Sequence, residues 1–402
     1  MSDTNRVDLR IIEETVYGET PDPAVLAPLP FSGSSDLGFT PETTVSELIR
    51  SDRQVSDLIL VGGAVGGSFD SELANDIHDV LLEGVLFAPQ KFSEVNAQTQ
   101  ITDTGIGWGT PSGGWIQLTA AGGPLDSDTW AVGDWVHFSG FAIEANNGFK
   151  EIELIFATRS ILFKDPGGGA EELAGPSVTV TRGAKIINGV TSRSFTLERF
   201  YSDQDTPLYE YLRGMIAGTF TLTASSSSIV TTSFGFIGAT QLFDTVRTIN
   251  GSDGADVPFA VYNASSNVGA LYEGNLQVGP DFNLVMEATI EIENNLRERK
   301  ALGVLGASSV GAGEFSVTGT LQTFFDNKTL ADKLIANDES AFSMGFENGD
   351  GGTLIFHLPR IKFAEGIPEV AGKNEDVMLN LGYQAVLSPV LNYTMSISKF
   401  NI

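Results

Sequence analysis

Three histidines, His78, His137 and His357, are the side chains of this 402-residue sequence best suited to moving a proton or holding a metal. No two of them stand at zinc-ligand spacing. The chain also has no cysteine, which excludes disulfides, thiolate chemistry and a cysteine-based zinc site. The run Val61–Gly67, VGGAVGG, has the glycine density of a phosphate loop but not the GxGxxG spacing. After it, Ser68–Leu73 alternates with Phe69 and Leu73 on one face, which predicts a strand where a phosphate loop needs a helix N-terminus. Gly306–Gly311, GASSVG, has the wrong spacing for a nucleophile elbow. The acidic turns Asn250–Asp256 and Glu347–Gly352 could touch calcium but lack the EF-hand pattern, and they read as hairpin turns. Carboxylates abound, yet none is singled out as a glycosidase pair. The expectation is a protein without catalytic residues, metal or cofactor.

Such residues would need elements to hold them, and the composition describes those elements. Asp and Glu number 51 against 23 Lys and Arg, a net charge of −28. That surface repels nucleic acid, whose binding rests on cations replacing counterions around phosphate, and it disfavours anionic membrane. The first residues show no basic, apolar signal-peptide pattern, and no apolar window is long enough to span a bilayer. With 45 glycines, 26 phenylalanines and many Val, Ile and Thr alternations, the chain reads as mostly β with tight turns.

One stretch occurs twice. Arg50–Leu73 places the apolar, glycine-rich run Leu58–Gly67 between charged ends and reads as a long loop joining two strands, buried against something because a solvated linker would be polar. Asn294–Leu321 repeats the plan: basic residues, then an apolar glycine-rich run, then a strand, with Phe315 matching Phe69. Arg53 to Gly67 spans 14 positions and Arg297 to Gly313 spans 16. A short amphipathic helix follows each copy, with Ile77, Leu81 and Val85 at helical spacing in the first. In the second, Leu330 and Leu334 follow Asp326 and Asn327 as candidate caps. Phe195–Phe200 then matches Phe356–Ile361, and Ile229–Phe236 matches Asp376–Tyr383. Four segments in one order indicate a duplicated β domain.

On this alignment Phe69 to Phe195 is 126 positions and Phe315 to Phe356 is 41, so the first copy carries 85 extra residues between about Pro89 and Asn188. All four tryptophans, Trp108, Trp115, Trp130 and Trp135, fall there among short strands. The segment reads as a small inserted β-barrel that projects outward and is removable, its tryptophans packing its core, with a ligand-facing patch as the alternative. The expected division is 1–94 (first β domain, first part), 95–189 (insert), 190–245 (first β domain, second part) and 246–402 (second β domain).

Pro41–Leu58, Asn263–Gly269, Leu358–Phe363 and Gly372–Ala385 resemble the major tail tube proteins of long, non-contractile-tailed bacteriophages, specifically the branch with two tandem tube domains. The insert, with VGDWVHFSGF and ANNGF, is similar to a small barrel often lodged in the first domain of that branch. The likeness covers most of the chain and is strongest over Asn263–Phe400. It implies two β-sandwich domains, each with a flanking helix, in rings that stack into a tube through which viral DNA passes without tight binding. Since single-domain relatives form six-membered rings, it also implies homotrimeric, pseudo-hexameric rings. Other tail proteins would cap the tube ends. The expected location is the virion tail tube, assembled in the host cytoplasm, with no membrane partner.

On that reading Leu58, Leu60, Val61, Gly63, Val65 and Gly67, with Leu302, Val304 and Leu305 in the second copy, form ring-stacking loops. Strand alternation nominates Asp70, Glu72, Glu291, Glu293 and Glu314 for the lumen. The competing reading is a secreted or surface β-sandwich, a carbohydrate-binding module or glycoside hydrolase using the insert's tryptophans. Domain duplication and the missing catalytic constellation favour the tube.

Overall fold

A computed structural model describes the chain apart from residues 1–2, 23, 34, 96–99, 104–105, 110–114, 121–129, 157–159, 165–170, 173–176, 227, 248–270, 274–275, 278–284, 326–327, 349–350 and 371. The chain is mostly β, with large antiparallel sheets. Its first copy runs Val7–Glu13 (β1), Gly38–Val45 (β2), Leu58–Glu72 (β3) and Asp79–Val85 (α1). After a long excursion come Phe195–Tyr201 (β4), Leu208–Ser225 (β5), Thr231–Gly238 (β6) and Thr240–Asp244 (β7). The second copy runs Val285–Glu293 (β8), Arg297–Lys300 (β9), Ala307–Gly311 (β10), Ser316–Phe324 (β11) and Thr329–Ala336 (α2). It ends with Glu339–Glu347 (β12), Gly352–Glu369 (β13), Met378–Ala385 (β14) and Ser396–Asn401 (β15).

The pairings of one copy repeat in the other. β4, β5, β6 and β3 pair in that order, as do β12, β13, β14 and β11, all antiparallel. β5 and β13 are each 18 residues long and serve two sheets. Their first halves lie in a short cover sheet, against β4 and β7 or against β12 and β15. Their second halves pair with β6 or β14 in one long sheet. A bulge marks the change in both, between Ala217 and Thr219 and between Phe363 and Glu365; an extra unpaired residue bends a strand there. β8 pairs with β5 on one side and β11 on the other, so the long sheet runs β3, β6, β5, β8, β11, β14, β13 through both copies.

Period-two alternation gives this sheet one apolar face. Phe69, Phe220, Leu222, Phe234, Ile290, Ile292, Val317, Leu321 and Leu381 are buried in a core shared by both copies. Each such side chain removed from water contributes roughly 1.5–3 kcal/mol. The helices lie on this core side: Leu81, Leu82 and Val85 of α1 are fully buried, as is Leu330 of α2. α2 ends where Asn337 turns left-handed at φ 55°. Its expected caps, Asp326 and Asn327, lie outside the described residues.

These pairings correct three expectations. The run Leu58–Gly67 is not a loop; it is the first part of β3, paired with β2 from Val45↔Leu58 to Gly38↔Gly66. An apolar, glycine-rich run lacks the polar alternation by which strands are recognised, and the connection lies in residues 46–57. Phe69, paired with Phe234, corresponds to Leu321, paired with Leu381, and not to Phe315. Finally, Phe195–Phe200 lies in β4, whose counterpart is β12, while Phe356–Ile361 lies in β13, the counterpart of β5. The excursion therefore occupies residues 86–194, where the second copy has only Asn337 and Asp338 between α2 and β12.

Within the excursion two four-stranded sheets pack around Trp108, Phe138, Phe141 and Phe163. Trp108 stacks on Phe163 at 5.7 Å, and Trp130 belongs to the same core. The side chain of Trp115 is outside the described residues. The insert does not stand clear of the rest. Trp135 and Phe149 pack on Ile355 and Phe400 of the second copy's cover sheet, with Phe149 and Phe400 4.9 Å apart. Ala184–Ile187 adds a strand to β15. At the same seam Tyr393 donates to the Gly133 carbonyl at 3.4 Å, and Glu151 lies 3.2 Å from His357.

Candidate assembly surfaces

The long sheet's second face is polar. β3 places Asp70 and Glu72 on it, and β8 places Glu291 and Glu293 there, both exposed. Glu314, also exposed, lies just before β11 and receives a 2.9 Å bond from the Asn295 side chain on its backbone carbonyl. Glu287, Glu365 and Glu369 join the same face, between rows of Thr and Ser such as Thr219, Thr221, Thr223, Ser233 and Thr318. Alternation could not single out Glu365 and Glu369, because the bulge before Glu365 reverses the period along β13. Across these strands Lys362, near the end where β9 and β10 leave the sheet, is the one basic side chain on the face among the described residues.

Two hairpin arms leave one end of the sheet. The first is β2 with the beginning of β3, and the second is β9 with β10, joined through residues 301–306. Leu58, Leu60 and Val61 are 60, 49 and 61 % exposed, and the connection between the strands adds Leu48, Ile49 and Val55. At the second tip Leu302 is wholly exposed, with Val304 and Leu305 about half so. The arms touch where Lys300 of the second pairs with Glu42 of the first, and the second arm also seats Gly306 against the carbonyl of Ala239, between β6 and β7, where a Cβ would collide. A cleft of about 670 Å³ opens at their feet, lined by Gly67, Gly218, Glu293 and Arg297 among others.

Three of the nominated stacking residues are used inside the protomer. Val65 is 1 % exposed in the core. Gly63 is covered by the Phe39 ring, leaving no room for a Cβ. Gly67 turns the chain at φ 125°, where the Asp36 backbone passes too close for any side chain. The nominated residues that remain exposed on the arms are Leu58, Leu60, Val61, Leu302, Val304 and Leu305. Exposed apolar surface grouped in this way is characteristic of interaction sites.

The histidines pack within the fold. His78 is fully buried, with Nε2 3.2 Å from the Ser71 hydroxyl and Nδ1 accepting the Ala74 N–H at 3.3 Å; burial holds its pKa down to about 4. His357 meets the Ser343 hydroxyl at 2.7 Å and packs edge-on against Trp135. His137 packs on Phe149. Among the described residues no three His, Asp or Glu side chains converge on a metal position, and no helix is long and apolar enough to cross a membrane. The tryptophans whose side chains are described, Trp108, Trp130 and Trp135, are buried in packed interiors.

Comparison with curated proteins finds no match. A family model described as phage tail tube protein matches residues 4–385, nearly the whole chain and both copies of the β unit. Duplicated sheets, an acidic face and apolar arms thus coincide with that match, and the chain belongs to the phage tail tube protein family, structural proteins of the virion tail that assemble into a tube.

Proposed function

We propose that the chain polymerises as stacked rings, three chains to a ring, into the tube of a long non-contractile tail, and that the polar face of the long sheet lines the channel through which the genome leaves. The observation that carries this reading is one sheet running through both copies with a face of carboxylates and hydroxyls and almost no cations. DNA held by even a few lysine or arginine contacts gains affinity with each phosphate neutralised, and these gains accumulate along a strand. A wall of Asp70, Glu72, Glu291 and Glu293 offers no such contacts, so DNA slides. Two pseudo-equivalent units per chain give approximate six-fold symmetry from three chains, and a head-to-tail contact of this kind closes when its rotation divides a full turn. The arms supply stacking: Leu60 and Leu302 and their neighbours become buried against the adjoining ring.

The test is Glu291→Lys with Glu293→Lys. Tubes should still form, while ejection slows at low salt, where phosphate contacts are strongest. Unchanged ejection would place those side chains outside the channel. The mass of a solubilised ring checks the stoichiometry, and six chains would defeat the three-fold arrangement.

A further inference from the structure

The long sheet ends in two open edges, and the joint inside the chain serves as a template for joining them. At that joint β5 pairs with β8 from Thr219↔Glu293 to Ser225↔Glu287. The bonds Asn294 N–H to Gly218 C=O (2.9 Å) and Ser226 N–H to Met286 C=O (2.8 Å) flank it. Hence Phe220, Leu222 and Ala224 point their backbone groups at β8. In the second copy the matching half of β13 pairs only with β14, and among the described residues no strand pairs its other side. Aligned through the two bulges, Gly366, Pro368 and Val370 stand where Phe220, Leu222 and Ala224 stand. On the opposite edge the bridge Ser35↔Phe69 corresponds to Ala288↔Leu321, so Ser35, Leu37 and Phe39 stand where Ala288, Ile290 and Ile292 stand.

We propose that Glu365–Val370 of one copy pairs antiparallel with Ser35–Thr40 of the next, in the register Glu365↔Thr40, Gly366↔Phe39, Pro368↔Leu37 and Val370↔Ser35. This deepens the ring reading above and rests on it. Two independent features agree with that register. Pro368 falls at a position that should donate a backbone hydrogen bond to Leu37, and proline has none to give. The Leu37 carbonyl is the one that Arg199 already satisfies, its guanidinium donating to it at 3.2 Å and to the Ser35 hydroxyl at 2.9 Å. A register one pair away would set Pro368 against a carbonyl without that substitute. The second feature is shape. Val370 is 78 % exposed, and beside its proposed partner Ser35 lies a cleft of about 420 Å³ lined by Val7, Leu9, Phe31 and Gly33. Before assembly Pro368 also blunts the edge, since a missing donor discourages indiscriminate strand pairing.

Because the sequence has no cysteine, the register can be read by cross-linking without background. Thr40 and Glu365, both exposed, would form a non-hydrogen-bonded pair with Cα atoms about 4.5 Å apart, within disulfide reach. Thr40→Cys with Glu365→Cys, assembled under reduction and then oxidised, should link chains to one another on a non-reducing gel. Thr40→Cys with Glu369→Cys, displaced four residues or about 13 Å, should give on the order of tenfold less product. Tubes that form normally but link equally in both variants, or only in the displaced one, overturn the register and leave the tube role standing. Protein that forms neither rings nor tubes under any condition overturns the tube role, and the pairing with it.

Discussion

The two copies are alike where they build the long sheet and differ where they meet their surroundings. The first carries a 15-residue strand in its arm and a large excursion between helix and cover sheet; the second has a short hairpin and a two-residue link. Yet the excursion that leaves the first copy packs on the second, through Trp135 and Phe149 on Ile355 and Phe400. A segment that looks like an independent addition therefore covers apolar surface that the second copy would otherwise expose. Duplication followed by divergence has kept the sheet and made the cover surfaces interdependent.

Removing the insert should break this dependence most severely. Excision between Pro89 and Asn188 bares Ile355, His357 and Phe400, so the shortened chain is expected to aggregate or unfold instead of forming tubes. Trp135→Ala tests the same seam more gently. It should cost about 3–5 kcal/mol and lower the main unfolding transition, read by urea titration. A separate, early transition of the insert with the main one unchanged would show that the seam contributes nothing.

The arms separate next. Val65→Asp buries an unpaired charge in the core and should unfold the protomer or weaken it by several kcal/mol. Leu60→Asp changes a half-exposed residue five positions away, so the circular dichroism spectrum and melting should stay near normal while tubes are lost. Normal tubes from Leu60→Asp would remove the arms from stacking.

Much of this could be read from alternation alone, because a half-buried strand has to alternate: Phe69 against Asp70, and Ile290 against Glu291. Helices α1 and α2 were found from their 3.6-residue apolar spacing. The equivalence of strands was harder, since the bulges at Gly218 and Ala364 reverse the period within single long strands and hide Glu365 and Glu369. Val65 looked like its exposed neighbours because a strand half in the core and half in an arm changes environment without changing composition. Nothing in the sequence around Trp135 distinguishes a tryptophan facing the second copy from one facing its own barrel, as Trp108 does.

One buried histidine should show itself in the pH dependence of stability. His78, in the first copy, is held neutral by burial, with a pKa near 4 against an ordinary 6.5. Between those values the unfolded chain binds a proton that the folded chain does not, so stability falls as pH drops from about 6.5 to about 4 and is unaffected above. The loss approaches roughly 3 kcal/mol at the lower end. His78→Asn, which can still meet Ser71 and Ala74, should flatten the dependence of urea midpoint on pH in that window. An unchanged slope would assign acid sensitivity to other groups.

The smallest effect distinguishes the copies at a single oxygen. Tyr383 on β14 crosses beneath Gly319 and donates to the Thr289 carbonyl at 2.7 Å; a Cβ on Gly319 would strike both. In the first copy the ladder partner of Gly67 is Phe236, the counterpart of Tyr383, and the Asp36 carbonyl lies over Gly67 as Thr289 lies over Gly319. The acceptor is thus present in both copies and the donor only in the second. Tyr383→Phe should therefore cost about 1 kcal/mol, the net worth of one partly buried hydrogen bond. Phe236→Tyr gives the first copy the donor it lacks. If the two sheets superimpose here, the new hydroxyl finds Asp36 and stability is unchanged or slightly raised. A loss as large as that of Tyr383→Phe would mean that the first copy closes more tightly around its phenylalanines, Phe69 and Phe236 being stacked at 5.9 Å, and that the copies differ in the core as well as at the surface.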